Sequence, residues 1–98
     1  MIDRDYIVQT LQRNLPLLQN LGVRSVGLFG SYARGEQTAA SDVDLLVDFE
    51  RDRENFDNLM SVCDLLESFF AGHRIEVVTK GGLSQHIGPR ILQEVVYV

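Results

Sequence analysis

Residues 26–49 decide how this chain folds: Val26-Gly27-Leu28-Phe29-Gly30-Ser31-Tyr32-Ala33-Arg34-Gly35-Glu36-Gln37-Thr38-Ala39-Ala40-Ser41-Asp42-Val43-Asp44-Leu45-Leu46-Val47-Asp48-Phe49. An apolar run meets a glycine-serine corner. A short polar connection follows, and then a second apolar run that carries aspartates. The pattern predicts strands over 23–29 and 42–49, joined in a hairpin-like unit. In a strand, residues two apart share a face. Asp42 and Asp44 are therefore expected to project together, with Val43 and Leu45 turned the other way into a core. Two like charges side by side repel and raise at least one pKa. A cation between them removes the conflict. Hard oxygen ligands suit Mg²⁺, which takes one or two carboxylates plus substrate phosphates.

The Gly30-Ser31 corner supplies the other half. Glycine lets the backbone approach a bulky anion. Ser31 to Gly35 fits one helical turn ended by Gly35, whose free N–H groups and Ser31 hydroxyl would face a phosphate. A phosphate cradle beside paired aspartates is the equipment for metal-assisted phosphoryl or nucleotidyl transfer. Each piece alone also fits a plain turn or a capped loop. Their combination, ten residues apart, favours the site.

The pattern G-S-x10-D-x-D, set in Leu28-Phe-Gly-Ser-Tyr-Ala-Arg-Gly-Glu36 and Ser41-Asp-Val-Asp-Leu-Leu-Val47, resembles the minimal nucleotidyltransferases of the DNA polymerase β superfamily. The resemblance covers nearly the whole chain, including the C-terminal Ile91-Leu-Gln-Glu-Val-Val-Tyr-Val98. It implies that Gly30 and Ser31 hold a nucleoside triphosphate, with ATP as donor. It implies that Asp42 and Asp44 bind two Mg²⁺ ions, and that a third carboxylate stands on a later strand. Stand-alone members of this kind are typically antitoxins. The implied partner is a HEPN-type RNase toxin, silenced by transfer of AMP to one of its tyrosines.

Glu76, in Arg74-Ile-Glu-Val-Val-Thr-Lys80, is the candidate third carboxylate. It alternates with Ile75 and Val77, so it belongs on the face opposite them, with Asp42 and Asp44. The family more often has aspartate here, and glutamate reaches one methylene further. The chemistry Glu76 offers is that of a general base or a further metal ligand. Arg34 either bonds phosphate or pairs with Glu36. Tyr32 either stacks on a base or is a surface aromatic. Lys80 and His86 are weaker candidates for phosphate contacts.

The rest of the chain reads as support. Ile7, Leu11, Leu15 and Leu18 recur at helical spacing. Asp3 is placed to cap that helix and Pro16 to split it near Asn14. Asn55 to Ala71 reads as a second long helix with Phe56, Leu59, Met60, Cys63, Leu66 and Phe70 as its apolar stripe. Pro89 suits the start of a last helix with Ile91, Leu92 and Val95 as its apolar face. Val95 to Val98 reads as an apolar tail. The expected fold is α/β (or α+β), with a mixed sheet of about three strands and helices mainly on one face.

Ninety-eight residues, 45% of them hydrophobic, make one small domain over 1–98. A chain this short is marginal alone, so association with a second copy or a partner is expected. The net charge of −5, part of it local to the proposed metal site, argues against a non-specific nucleic-acid binder, which needs a basic stripe. One cysteine, Cys63, allows no intrachain disulfide. The polar start Met-Ile-Asp-Arg-Asp and the lack of a long apolar run predict a cytoplasmic protein without a membrane span. Two other functions fit the same residues. One is a binding module that neutralises its partner by contact alone. The other is a small-molecule nucleotidyltransferase, against which the short chain argues because it leaves no segment for a drug-sized pocket.

Overall fold

The computed structural model describes residues 2–98. Helix α1 spans Arg4–Arg13 and α2 spans Leu15–Asn20. The break falls where Pro16 predicts it, at Asn14, with proline in the first turn of α2. The Asp3 carboxylate accepts the Tyr6 N–H at 2.9 Å and caps α1. Strand β1 is Val23–Phe29, α3 is the single turn Gly30–Arg34, and β2 is Val43–Phe49. Helix α4 covers Phe56–Phe69, its start capped by the Asn55 side chain. Strand β3 is Ile75–Thr79, and a 3₁₀ turn at Lys80–Gly82 follows. Helix α5 (Gly88–Glu94) leads into β4 (Val96–Tyr97).

The sheet has four strands in the order β3-β2-β1-β4. The expected count was about three. The additional strand is the C-terminal tail, which pairs antiparallel with β1 through Gly27↔Tyr97 and Leu28↔Val96. It covers an edge that would otherwise present unpaired backbone groups. β1 and β2 are antiparallel, and β2 and β3 are parallel across the α4 crossover, so the sheet is mixed as expected.

Alternation sorts the strands between two faces. Val43, Leu45 and Val47 of β2 join Val26 and Leu28 of β1 in the main core, against Ile7, Leu11 and Leu18 of the first two helices and Val62 and Leu66 of α4. Leu46 and Phe29 point the other way, where Ile91 of α5 covers them together with Val78, Leu83 and Val95. Most helices lie on one face, and α5 shields part of the second. The uncovered remainder of that second face begins at Asp44 and Glu76.

The stripe of α4 differs from expectation. Val62 is fully buried, whereas Phe56 is 73% exposed and Met60 44% exposed. Apolar residues lie on more than one side of this helix, so spacing alone left its rotation open. The set with Leu59, Val62, Leu66 and Phe70 faces the sheet. Leu92 of α5, assigned to an apolar face from its spacing, is also exposed.

Candidate active site

Three elements end at the same edge of the sheet. The antiparallel register pairs Phe29 of β1 with Asp44 of β2, and the parallel register pairs Asp44 with Glu76 of β3. Gly30 follows Phe29 directly and Asp42 lies just before β2. The glycine corner, both aspartates and Glu76 thus meet, although they are spread over 47 positions of sequence.

Gly30 has a positive φ of 77°, and a Cβ added there would run into the Asp44 carboxylate. Glycine is required on both counts. Gly35, φ 72°, ends the α3 turn in the left-handed conformation. The expected one-turn helix is therefore present, and Ser31 lies half-buried in it.

Asp44 is pushed up from 3.8 to about 6. Burial is the main cause. A hydrogen bond shared with Glu76 and the Glu76 charge come next, ahead of the charges of Asp42 and Glu94. From its spacing, Asp42 is the expected source of the shift. The larger electrostatic neighbour is Glu76, which β-pairing sets directly beside Asp44, whereas Asp42 sits outside the strand and turns toward Arg74. Arg74 Nε lies 2.8 Å from Asp42 Oδ1, and Arg74 Nη2 donates to the Ala40 carbonyl at 2.7 Å. The first contact is an ion pair by distance but not a hydrogen bond by angle. Asp42 Oδ1 is left buried with no hydrogen bond. An open cleft of about 630 Å³ runs beside Asp42 and Glu76, walled by Glu67, His73 and Arg74.

Arg34 is held by two carboxylates. Its Nε donates to Glu36 at 2.6 Å and its Nη1 to Glu94 at 2.8 Å. Both contacts push its pKa up, Glu94 more than Glu36. The other oxygen of Glu94 accepts the Gly30 N–H at 3.4 Å. Glu94 and Arg74 carry no local sequence signal that marks them as site residues. Glu94 lies 64 residues from Gly30. Tyr32 is buried in the core, so it is not a surface aromatic and is not free to stack on a base. Lys80 opens the 3₁₀ turn beyond β3, and His86 is exposed in the loop before α5.

Mg²⁺ can be tested against the residues present. The buried Asp42 Oδ1 has no hydrogen bond, and Asp44, with its raised pKa, stands beside Glu76 without a cation of its own. As placed, no three acidic, histidine or cysteine side chains among the described residues converge as a ready-made metal cage. Mg²⁺ does not need one, because substrate phosphates complete its shell. The residues fit the ion. No helix among those described is long and apolar enough to cross a membrane.

Known proteins share this chain's sequence pattern and fold. The family model described as "nucleotidyltransferase domain" matches residues 7–98. The chain is 44% identical, over 84 residues, to the protein adenylyltransferase MntA of Thermococcus cleftensis, covering 84% of this chain and 81% of that one. It is 33% identical over 95 residues to MJ1379 of Methanocaldococcus jannaschii, a candidate protein adenylyltransferase, with 94% of each chain covered. A solved structure of a candidate minimal nucleotidyltransferase superposes with a TM-score of 0.81 at 30% identity, over 97% of this chain and 95% of that one. A toxin–antitoxin crystal structure with AMP-PNP shares the fold, with a TM-score of 0.66 at 21% identity over 98% of this chain and 72% of that one. By sequence and by fold, this chain belongs to the nucleotidyltransferase domain family, among its minimal members, and is an enzyme of the nucleotidyltransferase class.

Proposed function

We propose that this chain is an antitoxin that transfers AMP from ATP to a tyrosine hydroxyl of a HEPN-type RNase toxin in the cytoplasm. One observation carries the chemistry: the β2–β3 register sets Glu76 beside Asp44, and Gly30 closes against that same Asp44 carboxylate. The naming of the Thermococcus cleftensis relative as a protein adenylyltransferase supports the acceptor class.

Gly30 and Ser31 bind the triphosphate, and Arg34 lies at the same corner. Asp42 and Asp44 would hold a pair of Mg²⁺ ions, with Glu76 beside them as proton acceptor or further ligand. When bound, Mg²⁺ supplies charge neutralisation at the phosphates. Glu76 accepts the proton of the entering hydroxyl. A new bond forms between the tyrosyl oxygen and the α-phosphorus. The α–β phosphoanhydride bond breaks, and pyrophosphate leaves with its electron pair. The residues 1–98 serve as one minimal domain, and the toxin brings the acceptor.

The test is label transfer from α-³²P-ATP with Mg²⁺, using the purified protein and its co-expressed partner. Label is expected on the partner and is expected to vanish with Asp42→Ala/Asp44→Ala. A stable complex that takes no label would refute transfer and leave neutralisation by contact.

A further inference from the structure

Each half of the site is already engaged by a side chain of this protein. On the nucleotide side, the Glu94 carboxylate accepts from the Gly30 N–H through Oε1 at 3.4 Å and from Arg34 Nη1 through Oε2 at 2.8 Å. Two oxygens taking a backbone N–H and a guanidinium present what two oxygens of a phosphate would present. On the metal side, the Arg74 guanidinium lies 2.8 Å from Asp42 Oδ1, the buried oxygen with no hydrogen bond. It is held there by charge and by its bond to the Ala40 carbonyl. The Arg74 side chain is 74% exposed, so it can leave without opening the core.

We propose that Glu94 and Arg74 are internal stand-ins: Glu94 takes the place of a phosphate group at Gly30 and Arg34, Arg74 takes the place of a divalent cation at Asp42, and both are displaced when the site loads. The inference rests on the nucleotidyltransferase reading above and adds two positioning residues to it. A cation bound at Asp42 Oδ1 repels the Arg74 guanidinium that lies 2.8 Å from that oxygen. A Glu94 carboxylate left beside a triphosphate repels it. Displacing either contact subtracts from the binding of its ligand. Metal alone displaces one stand-in and uncovers carboxylate only. Metal with nucleotide replaces both, so Asp42 and the Gly30–Arg34 corner each keep a partner of opposite charge or a hydrogen-bonding oxygen in the empty and in the loaded site.

A brace and a stand-in predict opposite signs. If Glu94 only held Arg34 in place, removing its charge would weaken nucleotide binding. If it stands in for phosphate, binding tightens. Isothermal titration of the full chain separates the two. With Mn²⁺ alone as probe, Arg74→Gln is expected to bind roughly two- to fivefold tighter than wild type, the range for one exposed ion pair. With a non-hydrolysable ATP analogue at saturating Mn²⁺, Glu94→Gln is expected to gain a similar factor. Arg74→Met and Glu94→Met, which keep the side-chain length and remove the charge, repeat the test if a glutamine variant folds poorly. Unchanged or weaker binding in the variants, with wild type binding normally, overturns the stand-in role and leaves the proposed function intact. Wild-type protein that binds neither probe and transfers no label overturns the nucleotidyltransferase reading and this inference with it.

Discussion

Asp44→Asn is expected to make the protein more stable while ending its chemistry. Asp44 holds its proton to about pH 6 in the folded chain, against 3.8 ordinarily. Below both values the carboxyl is neutral in both states and contributes nothing. Between them the folded state binds more protons than the unfolded one, so stability falls as pH rises, and the loss is complete above about pH 6. A shift of about two units corresponds to at most ~3 kcal/mol. Asp44 is only half-buried, and solvent screening reduces this to roughly 1–2 kcal/mol. Asparagine has the shape of the protonated acid and escapes the cost. At pH 7.5 the variant is therefore expected to melt roughly 5–10 °C higher than wild type, by the usual scaling for a domain of this size. The gain should shrink toward nothing near pH 4. Circular-dichroism melts from pH 4 to 8 make the measurement, with label transfer run in parallel. A variant no more stable than wild type at pH 7.5, or equally stabilised at pH 4 and pH 7.5, would refute the argument that Asp44 is ionised at a cost.

Gly30→Ala places a methyl group against the Asp44 carboxylate on a backbone of positive φ. It should cost at least ~1 kcal/mol in urea denaturation and reduce transfer far more than that loss of fold explains. Leu66→Ala, in the buried stripe of α4, should cost roughly 2–4 kcal/mol, whereas Met60→Ala on the exposed side stays within about 0.5 kcal/mol. Urea midpoints that rank the pair the other way would show that α4 packs with its other face. Burial, and then the nearby Glu67 and Asp64 charges, push the Cys63 thiol up, so its alkylation by iodoacetamide at pH 8 should be slower than that of a free cysteine peptide.

Much of this molecule was legible in residue order because the deciding patterns are local. Apolar runs over 23–29 and 42–49 marked two strands, the second of which begins one residue later, at Val43; Pro16 marked the helix break, and Gly35 the end of the α3 turn. Residues two apart on a strand share a face whatever the rest of the chain does, so Asp44 opposite Val43 and Leu45 followed from period alone. The same period on β3 placed Glu76 away from Ile75 and Val77. Four features needed the tertiary structure. The tail 95–98 is too short to announce a strand, and only the open edge of β1 makes it one. The rotation of α4 was undecided because Phe56, Met60 and Val62 are all apolar, and only the sheet it packs on selects Val62. Tyr32 has no periodic partner to say which way it faces. Glu94 and Arg74 reach the site across 64 and 32 positions from Gly30 and Asp42, and neither carries a signal in its own neighbourhood. The sequence determined which groups could do chemistry, because periodicity and backbone permissiveness are properties of a few adjacent residues. The tertiary structure decided which charges stand against those groups, because an ion pair depends on distance in space, which the order of residues does not encode.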